Sequence, residues 1–240
     1  MVVDIHCHIL PGVDDGAKTS KSTMRMLKIA AEEGTDVIIA TPHFVNGTEL
    51  EKVVDMKRRY IAVKRWMAEN YPEMQLYLGN ELFYSDGIVE ALEQKVAMTI
   101  NNTRYVLVEF PIYAEFAYVR NAVQNLLYAG YIPVIAHVER YEEMHKKSYI
   151  EELVEMGAYI QVNASSVVGK HGFKIKHYVK KLLKADLVHF VGTDAHGSKH
   201  RRPEMQECRD YLVKKLGVED AYRILEENPM CMLRGEEIDG

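Results

Sequence analysis

The sequence predicts an α/β protein that folds as a βα barrel, either distorted or shorter than eight strands. Three observations support this fold class. About seven short apolar runs, most of them rich in Val and Ile, lack polar–apolar alternation, which is typical of parallel strands buried on both faces. Longer helical stretches separate these runs. No Pro- or Gly-rich linker divides the 240 residues, so we expect one domain over 1–240.

An open doubly wound sheet is the alternative arrangement of the same elements. Its dinucleotide-binding form carries a Gly-x-Gly-x-x-Gly motif after the first strand, and that motif is absent here. The predicted strands, in chain order, are Val2–Ile5, Val37–Ala40, Leu76–Leu78, Tyr105–Val108, Ile132–Ala136, Tyr159–Val162 and Leu187–Val191.

The predicted helices show apolar residues at steps of three and four, or end just before a glycine. Thr19 or Ser20 is placed to cap the first helix, 20–33. Gly34 is placed to end this helix in the left-handed conformation. The other predicted helices cover 49–70, 115–129, 147–156, 203–216 and 218–226.

Composition excludes several classes of protein. The chain has 30 basic and 35 acidic residues, a net charge of −5, which does not favour nucleic acid as a partner. No apolar run approaches the ~18 residues of a membrane helix, and no signal peptide is visible, so we expect no membrane anchor. The chain has only three cysteines, and this small, odd number does not suit a disulfide scaffold. The cysteine count therefore favours a reducing, cytoplasmic location.

Side chains that bind metals follow six of the seven predicted strands. In a parallel barrel the carboxyl ends of all strands lie on one face, so residues from distant segments would meet there. His6 and His8 are two residues apart and would point the same way on an extended strand. The full set is His6, His8, His43, Glu81, Glu109, His137, Asp194 and His196.

These candidates combine imidazole with carboxylate and include no thiolate pair, a mixture that suits Mn, Fe, Zn or Co. Asp14 and Asp15 lie in the loop after the first strand, and we expect one of them to join the set. So many ligands exceed the needs of one tetrahedral ion, so we expect two or three divalent metal ions. Clustered ions of this kind are typical of enzymes that hydrolyse phosphate esters.

Two arginines stand close to the candidates in sequence. Arg140 follows His137 by three residues, and Arg201 follows His196 by five. Guanidinium groups match phosphate oxygens in a bidentate manner, so both arginines are candidate catalytic residues. The thiol-based route to phosphate hydrolysis needs Cys-x5-Arg, and none of the three cysteines has an arginine at that spacing.

Six motifs in chain order resemble the polymerase and histidinol phosphatase (PHP) superfamily of metal-dependent phosphoesterases. The sequence is most similar to the bacterial tyrosine-protein phosphatases of capsular and exopolysaccharide operons, over nearly its whole length. The motifs are Asp4-Ile-His-Cys-His-Ile-Leu-Pro-Gly-Val-Asp-Asp-Gly16, Ala40-Thr-Pro-His43, Gly79-Asn-Glu81, Val108-Glu-Phe-Pro111, Tyr131-Ile-Pro-Val-Ile-Ala-His137 with Glu139-Arg140, and Thr193-Asp-Ala-His196.

The resemblance implies a distorted seven-stranded βα barrel of the PHP type, a TIM-like barrel with three metal ions, often manganese. It implies that Arg140 and Arg201 grip the phosphate. It implies one ion held by His6, His8, Glu81 and Asp194, a second by Glu81, Glu109 and His137, and a third by His43, His196 and one of Asp14 and Asp15.

The implied reaction is hydrolysis of phosphotyrosine by a metal-bridged hydroxide, and the implied partner is a bacterial tyrosine kinase that controls capsular or exopolysaccharide synthesis. A phosphatase of a small metabolite such as histidinol phosphate is the nearest alternative. A metal-binding regulatory module without catalysis is an alternative of another class. A metal amidohydrolase is less favoured, because no lysine ends a predicted strand to serve as the carbamylated ligand common there.

Overall fold

Residues 1–238 are described by a computed structural model, and their strands form one parallel barrel. Two strands are each interrupted once, so the nine strand segments make seven staves: β2 continues into β3, and β4 into β5. The segments are β1 (Val3–Cys7), β2 (Val37–Ala40), β3 (His43–Val45), β4 (Gln75–Leu78), β5 (Glu81–Phe83), β6 (Tyr105–Glu109), β7 (Ile132–Ile135), β8 (Tyr159–Asn163) and β9 (Phe190–Gly192).

The barrel closes where the last strand meets the first. Neighbouring staves pair in parallel from β1 through to β9. Beyond β9, the amide of Asp194 donates to the carbonyl of His6 at 2.7 Å, and the amide of His8 donates to the carbonyl of Ala195 at 2.9 Å. The predicted distorted seven-stranded barrel is therefore confirmed.

The helices lie outside the staves, apart from a short one at the C-terminal end of the described chain. They are α1 (Ser20–Glu32), α2 (Leu50–Asn70), α3 (Ile88–Glu93), α4 (Phe116–Tyr128), α5 (Lys147–Glu155), α6 (Ala164–Val168), α7 (Phe173–Lys184), α8 (Gln206–Leu216), α9 (Val218–Tyr222) and α10 (Asn228–Arg234). A π-helical turn, Arg223–Glu227, joins α9 to α10. The sequence prediction found six of these helices and missed α3, α6, α7 and α10.

The first helix illustrates why its boundaries were predictable. The side chain of Thr19 accepts a hydrogen bond from the amide of Ser22 at 3.2 Å, as expected of an N-cap. Gly34 has a φ of +75° just after the helix, a conformation that costs glycine little. Both signals are local, so the sequence contains them.

The last strand was predicted less well. It spans only Phe190–Gly192, so Leu187 to His189, predicted as its first half, lie before it. The His189 ring is mostly buried, and its Nδ1 accepts a hydrogen bond from the amide of Ile160 at 3.1 Å. An apolar run leading into a strand has the same composition as the strand itself, so periodicity could not separate them.

The barrel interior is filled by side chains and is not a pore. Val3, Ile5 and Leu107 are among the strand residues that pack there. From α10, Met232 and Leu233 belong to the same buried cluster and close one end of the barrel. Within the described residues, no helix combines the length and apolar character that crossing a membrane requires.

Candidate metal centre

Imidazole and carboxylate groups meet at the carboxyl ends of the strands, opposite α10, and Glu81 lies at their centre. Its Oε2 is 3.2 Å from His6 Nε2, 3.1 Å from His8 Nε2 and 3.1 Å from His43 Nδ1. Its Oε1 is 2.8 Å from His137 Nε2. Four imidazoles from three staves therefore face one fully buried carboxylate.

A bulge in β1 allows two of its histidines to reach this point. Three steps along β1 from Asp4 to Cys7 match only two steps on β2. Ile5 packs in the barrel interior, whereas Cys7 packs in the outer cluster. An unbulged strand would point both the same way, so the extra residue turns His6 and His8 toward the site.

The second carboxylate of the centre is Glu109, at the end of β6. Its Oε1 lies 3.5 Å from His137 Nε2, and its Oε2 lies 3.9 Å from His43 Nδ1. Asp194, just after β9, places Oδ1 3.6 Å from the Nε2 atoms of both His6 and His8. All eight candidates predicted at strand ends therefore converge, His196 through the contacts described next.

The two aspartates of the first loop have different surroundings. Asp15 places Oδ1 3.3 Å from His43 Nε2 and 3.2 Å from His196 Nε2. Asp14 instead lies behind the site, where its Oδ2 is 2.7 Å from His8 Nδ1 and accepts from the amide of His43 at 3.1 Å. The geometry favours Asp15 as the ligand and Asp14 as the residue that orients a ligand.

The arrangement fits divalent ions. Glu81 Oε2 and His196 Nε2 are buried and lack a well-aligned hydrogen bond, although imidazole or carboxylate atoms lie 3.1–3.2 Å from each. Electron-pair donors crowded together in this way suit a bound cation, which would accept from several of them at once. Ligand atoms lie within 4.8 Å of one another in three overlapping groups: His8, Asp15, His43 and His196; His6, His8 and Glu81; and His43, Glu81 and Glu109.

In the absence of metal ions, protonated histidines balance the negative charge of the carboxylates in the site. Burial opposes ionisation of Glu81, but the charge of His6 and hydrogen bonds from His137 and His43 hold its pKa well below the usual range. Burial also opposes protonation of His8, but contacts with Asp14 and Glu81 raise its pKa to about 10. Cations would displace such protons, because metal ligands bind in their deprotonated forms.

Three residues of the site have left-handed backbone conformations without being glycine. The φ angles are +32° at His137, +53° at Asp194 and +48° at Arg201. Such conformations cost of order 1 kcal/mol or more each and persist only where surrounding structure holds them. His137 and Asp194 each lie two residues after a strand, β7 and β9, and Arg201 lies in the loop that follows β9.

Two close backbone approaches in the site require glycine. A Cβ on Gly192 would lie 2.5 Å from His6 Cβ, and a Cβ on Gly16 would lie 2.2 Å from the His8 carbonyl oxygen. Real Cβ contacts are never this short. The absence of side chains at these positions therefore lets the first strand and its loop settle against β9.

The strand that carries no candidate ligand, β8, supplies hydrogen bonds to those that do. Gln161 Oε1 accepts from the amide of His137 at 2.9 Å and lies 3.1 Å from His6 Nδ1. Gln161 Nε2 donates to Asn163 Oδ1 at 2.9 Å, and Asn163 Nδ2 donates to Asp194 Oδ2 at 3.0 Å. Sequence reasoning missed both residues, although two amides inside an otherwise apolar strand were a visible signal.

Both candidate catalytic arginines reach the site. Arg201 Nη2 lies 2.6 Å from Asp194 Oδ1, and Arg140 Nη1 lies 3.6 Å from Asp194 Oδ2. Their side chains are 43% and 38% exposed, so one aspartate orients them while their outer faces meet solvent. They line a cavity of about 660 Å³ that also reaches Lys170 and His171. The site thus combines a buried ligand cluster with a cationic opening.

Comparisons with known proteins match nearly the whole chain. Residues 2–234 match a family model described as capsular polysaccharide synthesis, CpsB/CapC. The chain is 36% identical to the tyrosine-protein phosphatase YwqE of Bacillus subtilis over 239 residues, 99% of this chain and 93% of that protein. It is 30% identical to the tyrosine-protein phosphatase CpsB of Streptococcus agalactiae, over 99% of this chain and 100% of that protein.

Solved structures show the same fold. One belongs to a study of YwqE from Bacillus subtilis and CpsB from Streptococcus pneumoniae, described as metal-dependent tyrosine phosphatases; it aligns with a TM-score of 0.89 at 34% identity, over 99% of this chain and 96% of that one. Histidinol phosphate phosphatase from Lactococcus lactis aligns with a TM-score of 0.61 at 14% identity, over 90% of this chain and 94% of that one. The second likeness is one of fold alone.

Proposed function

Because the chain belongs to the CpsB/CapC family of capsular polysaccharide synthesis, we propose that it is a metal-dependent phosphatase that hydrolyses phosphotyrosine in proteins. The observation that carries this function is the buried cluster of imidazoles and carboxylates, opened to solvent beside two arginines. Its family relatives are tyrosine-protein phosphatases, which favours this substrate over histidinol phosphate.

The proposed ion-binding residues are those that converge at the strand ends, with Asp15 as the loop ligand. Mn²⁺ is the proposed ion; the mixed nitrogen and oxygen ligands also suit Fe, Zn or Co. When bound, divalent ions lower the pKa of coordinated water and offset charge on the phosphoryl group. The proposed set is His6, His8, Asp15, His43, Glu81, Glu109, His137, Asp194 and His196.

Arg140 and Arg201 bind the phosphoryl oxygens in this proposal. Their guanidinium groups flank Asp194, so both are held at the edge of the ligand cluster before substrate arrives. These oxygens carry the negative charge of the phosphoryl group in the transition state, and preoriented donors stabilise it without reorganising. Phenolate is a fairly good leaving group, so the reaction depends less on a general acid than an alkyl ester would.

The proposed substrate protein is an autophosphorylated bacterial tyrosine kinase that controls capsular or exopolysaccharide synthesis. The family description and the tyrosine-protein phosphatases among the relatives support this choice. We place the reaction in the cytoplasm, where kinases meet ATP. Three unpaired cysteines, two of them buried, suit that reducing compartment.

Turnover of two substrates by protein loaded with Mn²⁺ tests the function. We expect a phosphotyrosyl peptide to be hydrolysed with a kcat/KM about 10²-fold or more above that for histidinol phosphate, as expected of a site shaped for one of them. A preference for histidinol phosphate would contradict the tyrosine phosphatase. Hydrolysis of neither substrate by ion-loaded protein would favour a regulatory module without catalysis.

Adjacent arginines provide a matched pair for the phosphate-binding role. Arg201 contacts Asp194, whereas Arg202 pairs with Glu204 at 3.0 Å. We expect Arg201→Ala to lower kcat/KM by about 10²-fold, the usual cost of removing one charge-stabilising donor. Arg202→Ala should stay within a few-fold of the parent. Equal losses in the two variants would remove Arg201 from the proposed mechanism.

The two loop aspartates can be separated by metal analysis. We expect Asp15→Asn to lower the number of Mn²⁺ ions retained after gel filtration, because its oxygen faces two histidines in the cluster. Asp14→Asn should retain the same number with weaker affinity, since Asp14 contacts a ligand from behind. The reverse pattern would make Asp14 the ligand.

A further inference from the structure

A helix that sequence periodicity missed carries an exposed basic surface. Between Glu155 and Asp186 the chain contains no acidic residue and six lysines. The remainder of the chain therefore holds 24 basic against 35 acidic residues, so positive charge is concentrated in one segment of a protein that is negative overall. Most of that segment's lysines lie on α7.

Five residues of α7 form what we call the lysine stripe: Phe173, His177, Lys180, Lys181 and Lys184. The last four follow Phe173 by four, seven, eight and eleven residues, which places all five on one face of the helix. All five are exposed. Phe173 is 84% exposed and stacks on the His177 ring, with centroids 6.1 Å apart. Among residues 1–238, no carboxylate oxygen lies within 4 Å of the Nζ atoms of the three lysines.

The helix that carries the stripe begins beside the opening of the proposed active site, although no stripe residue lines the cavity. Lys170 and His171, just before α7, line the same 660 Å³ cavity as Arg140 and Arg201. The 12-residue helix is about 18 Å long, so an extended chain leaving the cavity would follow it for about five or six residues. A substrate held at the arginines can therefore contact the stripe at the same time.

We propose that the lysine stripe binds an acidic segment of the phosphoprotein substrate, located a few residues from the phosphotyrosine; this inference rests on the proposed function. Carboxylates near the cavity already neutralise the first lysines: Glu204 lies 2.6 Å from Lys170, and Glu142 lies 3.3 Å from Lys174. The unpaired charges start farther along, so the acidic residues of the substrate follow a neutral spacer.

The charge of the rest of the chain argues for a linear partner and against an anionic membrane. A flat lipid surface would approach, together with the lysines, parts of a molecule whose remaining acidic residues outnumber its basic ones, 35 to 24. Like charges facing each other across an interface oppose association. One extended chain follows the narrow basic face and avoids them.

The test compares three proteins loaded with Mn²⁺ on two phosphotyrosyl peptides. One peptide carries five glutamates after a four-residue Gly/Ser spacer, and the other carries glutamines instead. The stripe variant is Lys180→Glu/Lys181→Glu/Lys184→Glu. The matched control, Lys21→Glu/Lys57→Glu/Arg65→Glu, changes three exposed cations on α1 and α2 that likewise have no carboxylate within 4 Å among the described residues.

We expect the stripe variant to raise KM for the glutamate peptide about tenfold with little change in kcat, because several exposed charge pairs each contribute a few-fold at most. The glutamine peptide, a chromogenic aryl phosphate and the control variant should show no such change. An unchanged KM for the glutamate peptide overturns the inference. So does a stripe variant that loses binding to phosphatidylglycerol vesicles while its peptide kinetics match the parent, which would assign the stripe to a membrane.

A binding measurement separates this inference from the proposed function. Fluorescence anisotropy of the labelled, unphosphorylated glutamate peptide needs no catalysis, so it reports on the stripe even if neither phosphotyrosyl peptide is hydrolysed. We expect the parent to bind it more tightly than the stripe variant does, and added salt to remove the difference. Equal affinities at low salt overturn the inference. The milder Lys→Gln triple variant removes the three charges without reversing them, so it should bind the peptide with intermediate affinity. It also controls for any disturbance of α7 by the charge reversal.

Discussion

Replacing Gln161 with leucine tests whether the strand without ligands organises the metal centre. Gln161 is fully buried, and its Oε1 accepts from the amide of His137. Because that oxygen carries no proton, His6 must donate to it from Nδ1, which leaves Nε2, facing Glu81 and Asp194, as the nitrogen that can bind a metal ion. Leucine keeps the volume but removes the acceptor, so His6 loses the contact that fixes its tautomer and ring orientation.

The expected loss of folding stability in Gln161→Leu follows from the hydrogen bonds that the variant lacks. Three buried groups lose a partner: His6 Nδ1, the His137 amide and Asn163 Oδ1. At about 1–3 kcal/mol for each of the three unpaired groups, we expect about 3–9 kcal/mol less stability in urea unfolding. Removing such an outer partner of a ligand also weakens metal binding by about 10- to 100-fold, which calorimetric titration with Mn²⁺ measures directly.

A second variant separates the loss of ligand orientation from the loss of any buried polar group. Thr35 is buried, and its hydroxyl has no hydrogen-bond partner among the described residues, so Thr35→Val should leave Mn²⁺ affinity and stability close to those of the parent. If Gln161→Leu binds Mn²⁺ within twofold of the parent, β8 does not orient the ligands and the reasoning is wrong.

Three other predictions concern the barrel itself. Burial lowers the pKa of His189 to about 4. The stabilising contribution of its neutral ring is therefore complete above pH ~6.5 and is lost as the pH falls toward 4, by about 3 kcal/mol in all. His189→Asn should flatten the fall in the urea unfolding midpoint between pH 7 and 4, and an unchanged slope would assign the acid sensitivity to other groups. Gly192→Ala places a methyl group 2.5 Å from His6 Cβ and should weaken Mn²⁺ binding at least tenfold; parent-like affinity in titration would show that β1 and β9 separate easily. Thr19→Ala removes the cap that accepts from Ser22 and should cost about 1 kcal/mol in thermal unfolding without changing metal content; no loss would mean that solvent replaces the cap.

The sequence was most informative where function depends on residue type at a strand end. His43, Glu81 and Glu109 were recognised because each lies within three residues of the end of an apolar run, and a parallel barrel brings such positions together. The structure places all three in or at the start of strand segments, since two staves continue after an interruption. The prediction of convergence did not depend on that detail, because a stave that continues still ends on the same face.

The sequence was least informative where a role depends on contacts between distant segments. Gln161 carries no chemistry that distinguishes a structural amide from one that orients a ligand. Asp14 and Asp15 are adjacent and chemically identical, and only the path of the loop assigns one to His8 and the other to His43 and His196. Their separate roles exist only after the loop has packed against β3 and β9.

By itself, the sequence determined the barrel, the candidate metal-binding side chains and the family, since these follow from local periodicity, residue type and motif order. Only the tertiary structure decided how the parts face one another. The bulge in β1 turns His6 and His8 inward and Cys7 outward, although a regular strand would continue the alternation set by Ile5. Closure of β1 against β9 then holds Asp194 in a left-handed conformation that it does not favour alone, because its amide donates to the carbonyl of His6. The bulge depends on pairing between β1 and β2, and the closure on pairing between residues about 190 positions apart. Local sequence patterns encode neither pairing.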